Sequence, residues 1–336
     1  MFDQILVPVD RSLLAEHILP HVIAMAQAYN SEVTLISVLD PAAGSLPGRP
    51  TDPWDWRIQR AEVEAYLNDL SSGLQFSGLV VQTIILDGKA PDHVIRHSNS
   101  MGTNLIMLSS HGQGGISGWN SSSVVTKIIQ QARTSVMVIR SYPTPEPSLT
   151  NLRYRRILAP VDGSQRAEYG LHMAAHLARE HGAELLIAHV IKPPVLPRRT
   201  PLSLLDRTLI EQVIESNRLN AAQYLNALKT SLDCQVDTCL LVGDSVAESL
   251  YTLIEQESID LVVLNAHGLG GSPRWPYGNV AVNFLAYSAV PLLIVQDFAR
   301  DLLVESRAET YANELLVHSP AMMIPKTRQR IEEVHR

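Results

Sequence analysis

The sequence predicts two tandem α/β domains, each a doubly wound, five-stranded parallel sheet of strand order 3-2-1-4-5, and three observations lead there. The chain has 336 residues, more than twice the roughly 150 that one domain takes. Two blocks of it recur. Ile5-Leu6-Val7-Pro8-Val9-Asp10-Arg11-Ser12 returns as Ile157-Leu158-Ala159-Pro160-Val161-Asp162-Gly163-Ser164, and Ser110-His111-Gly112-Gln113-Gly114-Gly115 returns as Ala266-His267-Gly268-Leu269-Gly270-Gly271, with Trp119 and Trp275 equally far behind. Each half also alternates Val-, Ile- and Leu-rich runs with longer helical patterns, which suits a parallel sheet covered on both faces.

In the first copy, strands are expected near 4–9, 32–39, 79–86, 104–109 and 135–140. Ser12 caps a helix running toward Tyr29, with Ile18, Leu19, Val22, Ile23 and Ala26 on its buried stripe. Pro20 lies inside that run and should bend it, because proline has no amide donor and crowds the preceding turn. Further helices fit 58–76, 91–99 and 122–132. The second copy repeats the order, with strands near 156–161, 184–190, 235–242, 261–265 and 291–295 and helices near 165–181, 205–232, 246–257 and 278–287. The linker Tyr142-Pro143-Thr144-Pro145-Glu146-Pro147 sets the boundary near residue 150, giving domains 1–150 and 151–298 and an extension, 299–336, with an expected helix at 305–317. Two looser stretches, 41–55 and 192–203, each follow the second strand of their copy and are expected as surface loops or rims of a site.

Composition narrows the function classes. A net charge of -7, with 46% apolar and 18% charged residues, argues against a disordered or broadly cationic protein and offers no concentrated positive field for nucleic acid. No run approaches the 18 or so apolar residues of a membrane span, and the first residues lead directly into a strand without a signal-like segment, so a cytoplasmic protein is expected. Cys234 and Cys239 are too few and too close for a disulfide framework and are expected as buried thiols.

In an open parallel sheet a ligand sits where strand order reverses, at the carboxyl ends of strands one and four. That edge collects Asp10 with Ser109 and Gly112 in the first copy, and Asp162 with Asn265 and Gly268 in the second. An ionised carboxylate is purely an acceptor, suited to a ribose hydroxyl or a base amino group, or to capping the following helix. The glycine bends permit close backbone approach, and the helix starting near Ser122 and Ser123, or near Gly278 and Asn279, can add N-terminal amides for a phosphate. A surface loop with capping residues explains the same pattern. No P-loop lysine follows these glycines, and no Gly-x-Gly-x-x-Gly turn follows the first strand. His111 and His267 are single imidazoles without further ligands, so no metal site and no catalytic residues are assigned.

These motifs resemble those of universal stress proteins, over almost all of residues 1–298. The resemblance implies an adenine nucleotide alpha-hydrolase-like fold and a loop of form Gly-x2-Gly-x9-Gly-Ser/Thr that binds ATP, carried with Mg, in some members and not in others. Its positions fall on Ser109, Gly112, Ser122 and Ser123, where two glycines have become serine, and on Asn265, Gly268, Gly278 and Asn279, which lack the first glycine and the final hydroxyl. Val38 and Val190 would lie near the adenine by resemblance, whereas the residues alone read as sheet packing. Two functions stay open: an ATP-binding stress sensor that changes its protein partners, and a noncatalytic interaction scaffold. In either, the terminal strands pair the copies as an internal pseudo-dimer, and the tail leaves room for a homodimer. No Ser-His-acid constellation recurs, so any hydrolysis is expected to be slow.

Overall fold

The computed structural model describes residues 1–40, 53–110, 123–140, 152–195, 203–269 and 276–296. The first copy runs β1 (Gln4–Pro8), α1 (Leu13–Glu16), α2 (Leu19–Tyr29), β2 (Glu32–Leu39), α3 (Pro53–Phe76), β3 (Val80–Asp87), α4 (Ala90–Ser100), β4 (Leu105–Ser109), α5 (Ser123–Gln131) and β5 (Ser135–Ile139). The second runs β6 (Arg156–Pro160), α6 (Gln165–His181), β7 (Glu184–Ile191), α7 (Leu204–Ser231), β8 (Val236–Val242), α8 (Val246–Gln256), β9 (Leu261–Asn265), α9 (Asn279–Tyr287) and β10 (Leu292–Val295).

Every strand of β4, β5 and β10 is buried on both faces, as the near-continuous apolar runs require. Within each copy the strands are parallel, in the orders β3-β2-β1-β4-β5 and β8-β7-β6-β9-β10. β5 and β10 then pair antiparallel, Val138 opposite Leu292 and Val136 opposite Ile294, so the two sheets fuse into one of ten strands. An open edge in each copy is thereby satisfied by the other. One apolar core lies under α2, α3, α6 and α7, and a second under α4, α5, α8 and α9 on the opposite face.

The first helix differs from expectation. It breaks at His17 and Ile18 into α1 and α2, and Pro20 occupies the first turn of α2. At that position the missing amide costs nothing, because first-turn donors have no intrahelical partner. The matching α6 has no proline and runs unbroken over seventeen residues. α3 begins at Pro53, earlier than the apolar stripe alone predicts.

The copies also meet face to face across α2 and α6. The Tyr29 hydroxyl donates to the Met173 carbonyl at 3.0 Å, and the His176 Nε2 and Ala28 carbonyl oxygen lie 2.8 Å apart. His21 Nδ1 sits 2.8 Å from the Tyr154 hydroxyl. Nearby, the Arg140 guanidinium donates to the carbonyls of Leu285, Ala286 and Ser288, tying the end of β5 to the end of α9.

Candidate functional site

In the second copy the turn after β6 is built around one carboxylate. Asp162 Oδ1 accepts from the Ser164 amide at 3.1 Å and its hydroxyl at 2.6 Å. Ser164 Oγ in turn accepts from the Ala167 amide and caps α6. Gly163 between them has φ of 85°, a left-handed conformation that carries no Cβ penalty in glycine. Asp162 Oδ2 accepts from the Leu269 amide at 2.7 Å, which brings the loop after β9 against the turn after β6. Gly268 makes that approach possible: a Cβ there would stand 2.0 Å from Asp162 Oδ2. The carboxylate and the glycine bend therefore converge at one mouth.

The start of α9 completes this edge. The Gly278 amide donates to the Ala266 carbonyl at 2.7 Å, fixing the helix start beside the end of β9. Gly278 is the N-cap and supplies no side-chain acceptor to the first turn that Asn279 opens. The first-turn amides of a nine-residue helix thus lack a side-chain cap beside the glycine bend, an arrangement that favours an anion. His267 is buried next to it. Asn265 is placed differently from its neighbours. Its side chain lies on α6, where a Cβ on Gly170 would meet its Oδ1 at 1.9 Å, and its buried Nδ2 has no partner among the described residues.

The first copy repeats the turn with different chemistry. Asp10 Oδ1 accepts from the Ser12 amide at 3.2 Å and its hydroxyl at 2.6 Å, and Ser12 caps α1. Arg11 takes the place of Gly163 and holds φ of 64°. Its guanidinium pairs with Glu62 on α3 at 3.0 Å. The Ser109 hydroxyl donates to the Leu14 carbonyl at 2.9 Å, so it ties β4 to α1. Ser123 is exposed at the start of α5. Gly112 and Ser122, with His111 and Trp119, lie outside the described residues, as does Trp275. Val38 and Val190 are partly buried, pack on the core under α4, α5, α8 and α9, and pair with Leu86 and Leu241 on the outer strands.

Two features escaped the sequence reading. Tyr224 on α7 donates to Glu168 Oε1 at 3.2 Å and is hydrogen-bonded to the Gly163 backbone, with Asp162 close by. Tyr66 on α3 is placed near Glu16, Asp10 and Arg11, but its buried hydroxyl makes no hydrogen bond among the described residues. Burial first, and the neighbouring glutamate second, push both phenols well above their usual range. The second copy thus props its carboxylate turn on a hydrogen-bonded Tyr–Glu pair, and the first places a tyrosine near the equivalent glutamate without that bond. The signal was present: Glu16 and Glu168 follow Ser12 and Ser164 by equal spacing, and α3 and α7 each carry a single tyrosine. The second feature is the exchange of Ile18 for Gly170 at equivalent places, matched by Ser109 for Asn265. No group of three metal-ligating side chains exists among the described residues. No helix among them is long and apolar enough to cross a membrane.

A doubly wound sheet with an acidic turn at its switch point, present twice, and with a glycine bend beside that turn in the second copy, defines a tandem α/β protein. The family model for the universal stress protein family matches residues 1–140 and 153–296, and the chain belongs to that family. It is similar to universal stress protein YxiE of Bacillus subtilis, 26% identical over 148 residues that cover 43% of this chain and 99% of that protein. It is also similar to universal stress protein A homolog 1 of Coxiella burnetii, 31% identical over 121 residues, 36% of this chain and 81% of that protein. Two solved structures share the two-domain fold. A universal stress protein from Archaeoglobus fulgidus has TM-score 0.59 at 17% identity, covering 89% of this chain and 97% of its own. A functionally unknown protein, PA1789 of Pseudomonas aeruginosa, has TM-score 0.63 at 16% identity, covering 95% of this chain and 98% of its own.

Proposed function

We propose that this chain is a noncatalytic stress-response regulator in the cytoplasm whose second copy holds the phosphates of an adenine nucleotide, ATP with its Mg, and so changes which proteins it pairs with. The observation that carries the reading is the convergence of the Asp162 carboxylate, the Gly268 bend and the uncapped first turn of α9 at one mouth. The residues fit the group. Glycine at 268 keeps the backbone close to the carboxylate, α9 offers amides of the right polarity for phosphate, and each oxygen of Asp162 retains acceptor capacity for a ribose hydroxyl. Ser109 in the first copy is committed to Leu14, which favours the second copy as the stronger site.

Calorimetry of the full chain with Mg-ATP, ADP and AMP tests this. Saturable binding that tightens with each added phosphate is expected, with Asp162→Asn weakening it about tenfold and Gly268→Ala abolishing it while the fold persists by circular dichroism. A well-folded protein that binds none of the three nucleotides at millimolar concentration sinks the reading and leaves the pseudo-dimer as an interaction scaffold.

A further inference from the structure

α7 is built to stand clear of the sheet. It has 28 residues, about 42 Å of helix, yet its buried apolar side chains begin only at Ala221 and continue with Leu225 and Leu228. Its start is firmly set by a reciprocal cap in which Ser203 Oγ accepts from the Asp206 amide at 3.1 Å and Asp206 Oδ2 accepts from the Ser203 amide at 3.0 Å. Between the cap and Ala221 the helix carries an apolar stripe that no described residue covers: Leu205 is 69% exposed, Leu209 50% and Val213 45%. Spacing of four keeps these three on one face. A helix that buries no face is marginal in water, so such a stripe calls for an occupant.

The chain carries a candidate of matching period. In the extension, Ala308, Tyr311, Ala312, Leu315 and Leu316 recur at the intervals that line one face of a helix, between polar residues. Its point of departure is also favourable. β10 ends at Val295 on the carboxyl edge of the second copy, and α7, running antiparallel to β7 and β8, projects its first half past that same edge. β10 and β7 are three strand spacings apart, about 14 Å, and residues 297–304 span up to roughly 26 Å extended. The connection reaches without strain, and a tethered segment acts at an effective concentration of order millimolar.

We infer that the extension folds back on its own chain, with the face bearing Tyr311, Leu315 and Leu316 laid along the Leu205, Leu209 and Val213 stripe of α7. The inference goes beyond the nucleotide reading and does not depend on it. α3 supplies an internal control. It is the matching helix of the first copy, it also leaves apolar side chains exposed at Trp54 and Ile58, and it lies at the opposite end of the ten-stranded sheet.

Hydrogen exchange on the full chain tests the docking. Leu315→Asp together with Leu316→Asp is expected to speed exchange of α7 amides 205–219 at least about tenfold, while amides 54–62 of α3 exchange at the same rate as in the parent chain. Equal exchange of α7 in both proteins overturns the inference. Protection of α7 that disappears on dilution of the parent chain assigns the stripe to a second copy, and also overturns it. If the double variant perturbs α3 as well, Leu209→Asp is read from the other side: amides 308–316 are expected to exchange faster, and unchanged exchange there overturns the inference.

Discussion

The two carboxylate turns share a backbone and differ in the side chains around it. In the second copy, Gly163 turns the chain with φ of 85° and Gly170 leaves room for Asn265. In the first, Arg11 makes the same turn at φ of 64°, and at the place in sequence equivalent to Gly170 stands fully buried Ile18, in the break between α1 and α2, while the smaller Ser109 replaces Asn265. The lesson is that duplicated frames tolerate opposite solutions so long as volume is kept across facing positions. Glycine on α6 goes with the larger asparagine on β9, and isoleucine at the equivalent place of the first copy goes with serine on β4. The seam between the copies is equally uneven, with His21 on α2 standing where α6 has Met173.

The largest test of this comparison transplants one solution into the other copy. Gly170→Ile is expected to cost about 3 kcal/mol or more, because even a Cβ there lies 1.9 Å from Asn265 Oδ1. Adding Asn265→Ser should recover most of that loss, as a double-mutant cycle in urea will show. A cycle with no coupling would mean that the two positions are not exchanging volume.

Acid should act on the seam next. Burial lowers the His21 imidazole to about 4, and burial with Arg153 nearby lowers His181. A neutral native imidazole with a depressed value contributes nothing above the unfolded value of about 6.5. As pH falls below that, the unfolded chain takes up the proton first, and stability declines until the folded value is reached. For His21 alone the decline amounts to up to roughly 3 kcal/mol between pH 6.5 and 4. His21→Met, which copies the second domain's residue, should flatten this part of the stability profile measured by urea unfolding at successive pH values. A profile as steep as the parent's would remove His21 from the account.

Smaller effects sharpen the comparison of the turns. Tyr224→Phe leaves Glu168 short of a donor and should cost about 1–2 kcal/mol, read as a lower urea midpoint at unchanged slope. A midpoint equal to the parent's would show that the pair does not prop the turn. Smallest is Arg11→Gly, which relieves the left-handed conformation of a residue carrying a Cβ but frees the unfolded backbone and breaks the exposed pair with Glu62. A net gain of no more than about 1 kcal/mol is expected. A clear loss of stability would show that the Glu62 contact outweighs the strain.

Much of this was legible in the chain itself. Repetition of Val9-Asp10 as Val161-Asp162 and of His111-Gly112 as His267-Gly268 announced the duplication, and apolar runs without polar alternation announced strands buried on both faces. The break at His17 was not legible. Proline reads as a bend wherever it lies in a helical run, and only packing decides whether the helix restarts around it. The candidate site was half legible. Asp162 and Gly268 could be named from their motif, whereas the turn of Asn265 onto Gly170 could not, because nothing in their separate neighbourhoods records that they touch.

Local pattern, then, was enough to determine strand and helix periods, the capping serines, the carboxylate turns and the doubling of the frame, since each is encoded within a few neighbouring residues. The joining of the copies through their terminal strands was expected from the doubling, whereas tertiary structure alone decided the antiparallel register of β5 on β10, the place of Tyr66 and Tyr224 beside the acidic turns, and the burial of His21 away from water. Those outcomes depend on which distant side chains come to share volume and exclude solvent, and shared volume is a property of the folded chain rather than of any segment of it.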